Sequence, residues 1–291
     1  MVDDANVDLS TLYDERFNFS RLSELGLSER PFVDSTDARF LYLGEVNMPV
    51  YKTCLQSVDY RKGLIVVVGE PGFGKTILAK RLYTVLSQQK DIDVAYIPRS
   101  SWDSKFEAAQ QISSAFSSLD VPVKRGYDSQ LEALKNSINE SYSKGRNVVI
   151  IFDDAQEISP AILGLIHELY NFAVNEKTVQ SILFGQPEAT EVIRKNRAVW
   201  SRVYQQLSLY RFDPKSTVGL VNYRVRVAGR LEPLVDNSAF LVLNDYANGA
   251  PRDIVAACNH AFDILLREGG NIITKQIMSQ GIANIGKGVI Q

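Results

Sequence analysis

Residues 69–76 read Gly69-Glu70-Pro71-Gly72-Phe73-Gly74-Lys75-Thr76, and residues 148–157 read VVIIFDDAQE. The first stretch has the spacing GxxxxGK[ST], set between an apolar run and a helical pattern. Its chemistry is phosphate binding. Glycines let the loop curl so that successive backbone N–H groups point inward at phosphate oxygens, and the following helix adds its positive N-terminus. In such a loop Lys75 reaches the β- and γ-phosphates of ATP, the Thr76 hydroxyl ligates Mg2+, and the cradle runs on to Ile77. The second stretch ends a strand-like run in two adjacent carboxylates. A P-loop sheet needs a carboxylate on a neighbouring strand for the Mg2+ shell, and Asp153 stands where that residue belongs. Asp154 is then placed to orient and polarise the attacking water. Its alternative role is a cap on the helix that begins near Ser159-Pro160. The expected cofactors are ATP and Mg2+.

These side chains have to be positioned by a sheet. Short apolar runs fall at 64–68, 94–97, 148–152 and 181–184, with a weaker fifth at 206–210. Their apolarity is continuous rather than alternating, which suggests strands buried on both faces of a parallel sheet. Helical patterns lie between them, as at 77–86 and 131–142, so the expectation is an α/β layered domain with right-handed crossovers. After Asp213-Pro214 the strand signals stop. Helical patterns follow at 216–229, 238–247, 251–267 and 273–282, which reads as a small all-helical domain.

Length and composition agree with this. A chain of 291 residues with 45% apolar residues holds one large domain, or one plus a smaller one. Thirty-two basic and 34 acidic residues give a net charge of −2, which provides no general drive toward nucleic acid or membrane. The distribution is uneven: residues 1–40 hold nine acids and four bases, and residues 194–230 hold nine bases and one acid, Asp213. A basic block of that kind is a solvated face, a phosphate-facing subunit interface or a nucleic-acid surface. Cys54 and Cys258 lack metal spacing and read as buried thiols of a reducing compartment. His167 and His260 have no ligand neighbours at metal spacing. The N-terminus MVDDANVDLS has no apolar core of a signal peptide, and no apolar run approaches the ~20 residues of a membrane helix. A cytoplasmic protein without a membrane segment is expected.

The ordered motifs resemble the AAA+ ATPases of the ExeA/GspA group, which are related to the transposition ATPases TnsC, TniB, IstB and MuB. The resemblance runs from about residue 23 to 285. LGLSERPF at 25–32 followed by ARFLYL at 38–43 is similar to the signature that precedes the P-loop in ExeA-like proteins, and DDAQ at 153–156 resembles their Asp-Glu-Ala-Gln. Aspartate in place of glutamate withdraws the carboxylate by roughly 1.5 Å. A misplacement of that order costs ~10²-fold in rate, so slow hydrolysis is expected. ILFGQPE at 182–188 resembles the strand that ends at the sensor-1 position and implies Gln186 as the sensor. WSRV at 200–203 resembles the arginine-finger helix and implies Arg202, acting on the nucleotide of a neighbouring subunit. ANGAPRDI at 247–254 resembles the start of the lid helix that carries sensor 2 and implies Arg252.

The resemblance implies an AAA+ domain with a five-stranded parallel sheet flanked by helices, at residues 41–212. An N-terminal extension at 1–40 precedes it and a helical lid at 213–291 follows. It also implies ATP-dependent self-association into a ring or helical filament. Two partner classes follow. One is double-stranded DNA, with recruitment of a transposase or target-selection protein. The DNA-facing loops would then carry Arg99, Lys105, Lys124 and Arg125 on phosphates, and Trp102 and Tyr127 on sugars or bases. The alternative is ATP-driven assembly of a secretion, pilus or polysaccharide-export system. Secretion-type members carry a peptidoglycan-binding domain and a transmembrane segment, which this sequence does not show, so the expectation leans to DNA. A solitary nucleotide switch is a weaker third reading.

Overall fold

The computed structural model describes residues 21–172 and 178–286; the MVDDANVDLS segment lies outside them. The chain divides into two compact units. One runs from Thr36 to Arg211, and the other joins the segment up to Ser35 with everything from Phe212 onward.

The first unit is built on five parallel strands, β1 (Leu64–Val68), β2 (Ile92–Ile97), β3 (Asn147–Phe152), β4 (Val179–Gly185) and β5 (Val203–Ser208), in the order β2-β3-β4-β1-β5. Every residue of β1, β3 and β4 is buried. Burial on both faces is why β1 and β3 carry runs of Val, Ile and Leu, while β4 admits a buried Gln180 and Ser181 before its own run. The edge strand β5 is different. Tyr204, Gln205 and Gln206 are exposed, and a register shift opposite Leu64 and Ile65 passes over Tyr204. β5 therefore begins at Val203 rather than at 206, because an open edge demands no apolar run that a sequence pattern could reveal.

Around the sheet lie α1 (Gly44–Asp59), α2 (Lys75–Ser87), α3 (Lys105–Ala115), α4 (Tyr127–Ser143), α5 (Pro160–Asn171), α6 (Glu188–Lys195) and α7 (Arg197–Trp200). Local chemistry sets their starts. Ser104 and Ser159 accept from the N–H groups of Glu107 and Ile162, and Pro160 occupies the first turn of α5. Helix α1 holds Pro49 internally, which masks it in the sequence. Its buried Asn47 donates to the Tyr210 carbonyl at 2.9 Å and accepts from the Tyr210 N–H at 2.8 Å, pinning the chain just after β5. Five parallel strands flanked by helices are the architecture expected from the sequence.

The second unit contains α8 (Pro214–Val227), α9 (Ala239–Ala247), α10 (Pro251–Glu268) and α11 (Lys275–Asn284), each within two residues of its expected start. Gly281 lets α11 meet α10 closely, since a Cβ there would lie 2.6 Å from the Ala261 nitrogen. Residues 21–35 belong to this unit rather than to a detached extension of 1–40. Leu22, Leu25, Leu27 and Phe32 are buried, and Phe32 meets Phe262 edge-on at 6.2 Å. The buried Arg224 donates to the carbonyls of Pro31 (2.8 Å) and Val33 (2.6 Å), and Arg230 donates to Leu25 (3.1 Å). The basic block of residues 194–230 is divided between the two units. Arg224 and Arg230 bind backbone in this unit, while Arg194 lies over Trp200 and Arg211 over Phe73 in the other.

Candidate active site

The site assembles at the C-terminal ends of β1, β3 and β4, where open α/β sheets bind their ligands. The loop after β1 curls through Gly72 (φ 83°) and Gly74 (φ 88°), a left-handed backbone that only glycine adopts readily. Gly74 then caps α2. Gly69 lies against the end of β5, where a Cβ would meet that of Leu209 at 3.1 Å. Lys75 is only 8% exposed and its ammonium donates to the carbonyls of Gly69 (2.7 Å) and Glu70 (3.0 Å). A buried ammonium at the mouth of a helix suits a triphosphate. The Arg211 guanidinium lies 5.6 Å over the ring of Phe73, bracing the tip of the loop.

Asp153 follows β3 and is 2% exposed. Its Oδ1 accepts from the Asp154 N–H (3.0 Å) and its Oδ2 from the Tyr96 hydroxyl (3.0 Å). The Thr76 hydroxyl is near enough to draw its carboxyl down, so the residue pair expected to serve Mg2+ is brought together. Burial pushes the Asp153 carboxyl above the usual carboxylate range, and Thr76 and the bonds from Asp154 and Tyr96 oppose that push. A carboxylate that burial has made costly to ionise gains from a nearby dication. The donor set of Thr76 and Asp153 beside a buried lysine thus fits Mg2+ with ATP. Tyr96, whose own hydroxyl is pushed up by burial and by Asp153, was not singled out by any motif. Its only trace in the sequence is a hydroxyl near the end of a buried strand.

Asp154 has a left-handed backbone, φ 52° and ψ 43°, and opens a short turn at Ala155–Glu157. It does not cap α5; Ser159 does. Its Oδ1 accepts from Gln156 Nε2 at 3.0 Å, and Gln156 Oε1 accepts from the Gln186 N–H at 3.0 Å. The second carboxylate, the turn and the end of β4 therefore form one connected group, with Gln186 half-buried beside it.

The remaining predicted residues belong to other elements. Arg202 is exposed immediately before β5 and donates to Asn171 Oδ1 at 2.5 Å. Arg252 is exposed at the start of α10 in the helical unit, after a turn in which Asn248 and Gly249 both have positive φ. Lys105 begins α3 rather than lying in a loop. It pairs with Glu168 at 2.7 Å and sits 5.5 Å over the ring of Tyr127, whose hydroxyl donates to the other Glu168 oxygen at 2.7 Å. Trp102 packs against the core. Arg99, Lys124 and Arg125 are exposed.

Comparison with known proteins agrees with this fold. An AAA domain matches residues 58–193. General secretion pathway protein A of Aeromonas hydrophila is 26% identical over 251 residues, covering 85% of this chain and 45% of its own length. The chain thus spans less than half the length of this curated relative. Among solved structures, the ORC2 protein of Aeropyrum pernix superposes with a TM-score of 0.69 at 16% identity, covering 91% of this chain and 74% of its own. Cdc6p of Pyrobaculum aerophilum gives 0.64 at 15% identity, covering 83% and 68%. The RuvB Holliday junction branch migration motor of Thermotoga maritima gives 0.51 at 15%, covering 83% and 69%. At these identities the structural likeness is one of fold. No helix among the described residues is long and apolar enough to cross a membrane.

Proposed function

We propose that this chain, which has the AAA+ fold and is distantly homologous to general secretion pathway protein A, binds and hydrolyses ATP to drive assembly of a protein machine of the secretion type. The observation that supports hydrolysis is the convergence of Lys75, Thr76, Asp153 and Asp154 at the C-terminal ends of β1 and β3. Lys75 and the loop N–H groups hold the phosphates, and Thr76 and Asp153 hold Mg2+, which would neutralise charge developing on the β- and γ-phosphates. Asp154 orients the attacking water and accepts its proton. Arg202, exposed at the surface, acts on the nucleotide of a neighbouring copy, and Gln186 and Arg252 read the γ-phosphate.

The sequence relative favours protein assembly over the transposition reading. The DNA reading also relied on Lys105 and Tyr127, both of which are engaged with Glu168. The test pairs two assays. Mg2+-dependent phosphate release that disappears in Lys75→Ala supports the ATPase, and unchanged ATP affinity in that variant overturns the P-loop assignment. Duplex-DNA anisotropy is then measured with a slowly hydrolysed ATP analogue at two salt concentrations. Self-association without salt-dependent DNA binding supports the assembly reading. Binding whose salt slope falls by about one unit in Lys124→Ala would instead establish a DNA partner.

A further inference from the structure

We propose that Gln156 is a positioning residue for the hydrolytic carboxylate of Asp154, and that it couples this carboxylate to the end of β4. The inference deepens the ATPase reading and rests on it.

The amide of Gln156 has one possible orientation. The Gln186 N–H is a donor, so the atom 3.0 Å from it must be the amide oxygen. The amide nitrogen then faces Asp154 Oδ1, also at 3.0 Å. A donor held from behind by main chain meets a carboxylate, the combination that makes a strong and directional hydrogen bond. Fixing one carboxylate oxygen also aims the other.

Two backbone features build this arrangement. The left-handed conformation of Asp154 turns the chain back at once, so that the side chain of residue 156 returns beside residue 154. A short polar side chain takes that conformation at lower cost than others. Gly185 then lets the turn sit against the end of β4. A Cβ there would lie 2.5 Å from the Ala189 Cβ, 3.2 Å from the Gln156 nitrogen and 3.3 Å from the Ala155 Cβ. A glutamine that merely stapled the turn to the strand would need only its oxygen. The nitrogen is spent on the carboxylate assigned to the water, and the main chain that holds the oxygen belongs to Gln186, the residue expected to read the γ-phosphate. A shift at that strand end is thereby transmitted to Asp154 through one side chain.

The decisive variant is Gln156→Glu. It matches the length of glutamine and keeps an acceptor for the Gln186 N–H, but replaces the donor to Asp154 with a carboxylate oxygen. Turnover is expected to fall at least tenfold, since a displacement of about 1 Å in a reacting group costs up to ~10²-fold. The dissociation constant for Mg2+-ATP should stay at its wild-type value, while the thermal midpoint falls modestly because two carboxylates meet. Wild-type kcat in Gln156→Glu overturns the positioning role. A fall in kcat matched by equal losses of ATP affinity and thermal stability also overturns it, because the residue would then be only structural. Should glutamate at this position prevent folding, Gln156→Met, which is of similar length but gives up both the donor to Asp154 and the acceptor for the Gln186 N–H, is assayed for kcat against Mg2+-ATP affinity; a fall in kcat with affinity retained supports the role, and wild-type kcat overturns it. Absence of Mg2+-dependent hydrolysis in the wild-type protein overturns the ATPase reading itself and the proposal with it, an outcome distinct from a variant that hydrolyses normally.

Discussion

Replacing Asp154 with asparagine isolates one property of the site, the charge on the second carboxylate. Asparagine tolerates the left-handed backbone at φ 52° as well as aspartate does. Its side-chain oxygen can still accept from Gln156 Nε2, now at 3.0 Å from Asp154 Oδ1, and that donor fixes which way the new amide points. Shape, backbone and the link to Gln186 all persist, while the acceptor for the water proton becomes an NH2 group. Losing a general base costs about 10²–10⁴-fold, equivalent to roughly 3–5 kcal/mol on the barrier. Stability should change by less than about 0.5 kcal/mol, since no packing is altered. ATP affinity rests on Lys75, Thr76 and Asp153 and should be retained, so the variant accumulates in its ATP-bound state. Single-turnover phosphate release with Mg2+, alongside binding of a fluorescent ATP analogue, reads both quantities. Asp154→Glu is the companion. Reach alone would make glutamate an improvement, but one added C–C bond of roughly 1.5 Å cannot be accommodated within a 3.0 Å contact without leaving Gln156. The left-handed backbone also suits glutamate less, by about 1 kcal/mol. Glutamate is therefore expected to be slower than the wild-type aspartate. Wild-type hydrolysis in Asp154→Asn would refute the assignment of this carboxylate to the water.

Arg202→Ala should lower turnover while leaving ATP binding by a single copy intact, and full activity in a dilute, strictly monomeric sample would refute a role in trans. Gly249→Ala should destabilise the helical unit by about 1–3 kcal/mol, because the residue has φ 75° and a Cβ there would sit 2.1 Å from the Phe212 carbonyl oxygen; thermal unfolding measures it. Burial raises Glu168, but the hydrogen bonds from Lys105 and Tyr127 outweigh burial and hold its carboxyl below the usual range. A depressed folded-state value stabilises above the unfolded one near 4.3 and is lost as pH falls through the folded one. Glu168→Gln should thus cost less than about 1 kcal/mol at neutral pH, the pair being partly exposed, and progressively less in acid. Burial pushes the thiols of Cys54 and Cys258 up to about 12, so iodoacetamide at pH 8 should label neither until the chain is unfolded.

The phosphate loop, the strands β1 to β4 and the starts of the C-terminal helices were legible in the amino-acid sequence because their causes are local. Glycines at 72 and 74 permit the loop's backbone, continuous apolarity marks strands buried on both faces, and Pro214 and Pro251 announce helices at their first turns. The position of Asp153 at the end of a buried strand was also legible, since a strand pattern ending in a charge is local too. What each polar atom bonds to was not. Thr76 meets Asp153 only because β4 alone separates β1 from β3 in the sheet, and Tyr96 reaches the same carboxylate only because β2 lies against β3. Strand order follows from how helices and sheet bury their apolar faces together, and no local pattern encodes it. The same holds for Lys105 and Tyr127, whose chemistry suited the phosphates and the sugars or bases of DNA until α5 brought Glu168 between them. It holds for Arg224, a cation that looked like part of a basic surface and instead donates, buried, to the carbonyls of Pro31 and Val33. Gln156 sits in plain view within DDAQ, yet its role depends on a left-handed residue before it and a glycine at the end of a distant strand. Sequence determines which groups can do chemistry; packing, by closing some distances and filling others, decides which of them are left to do it.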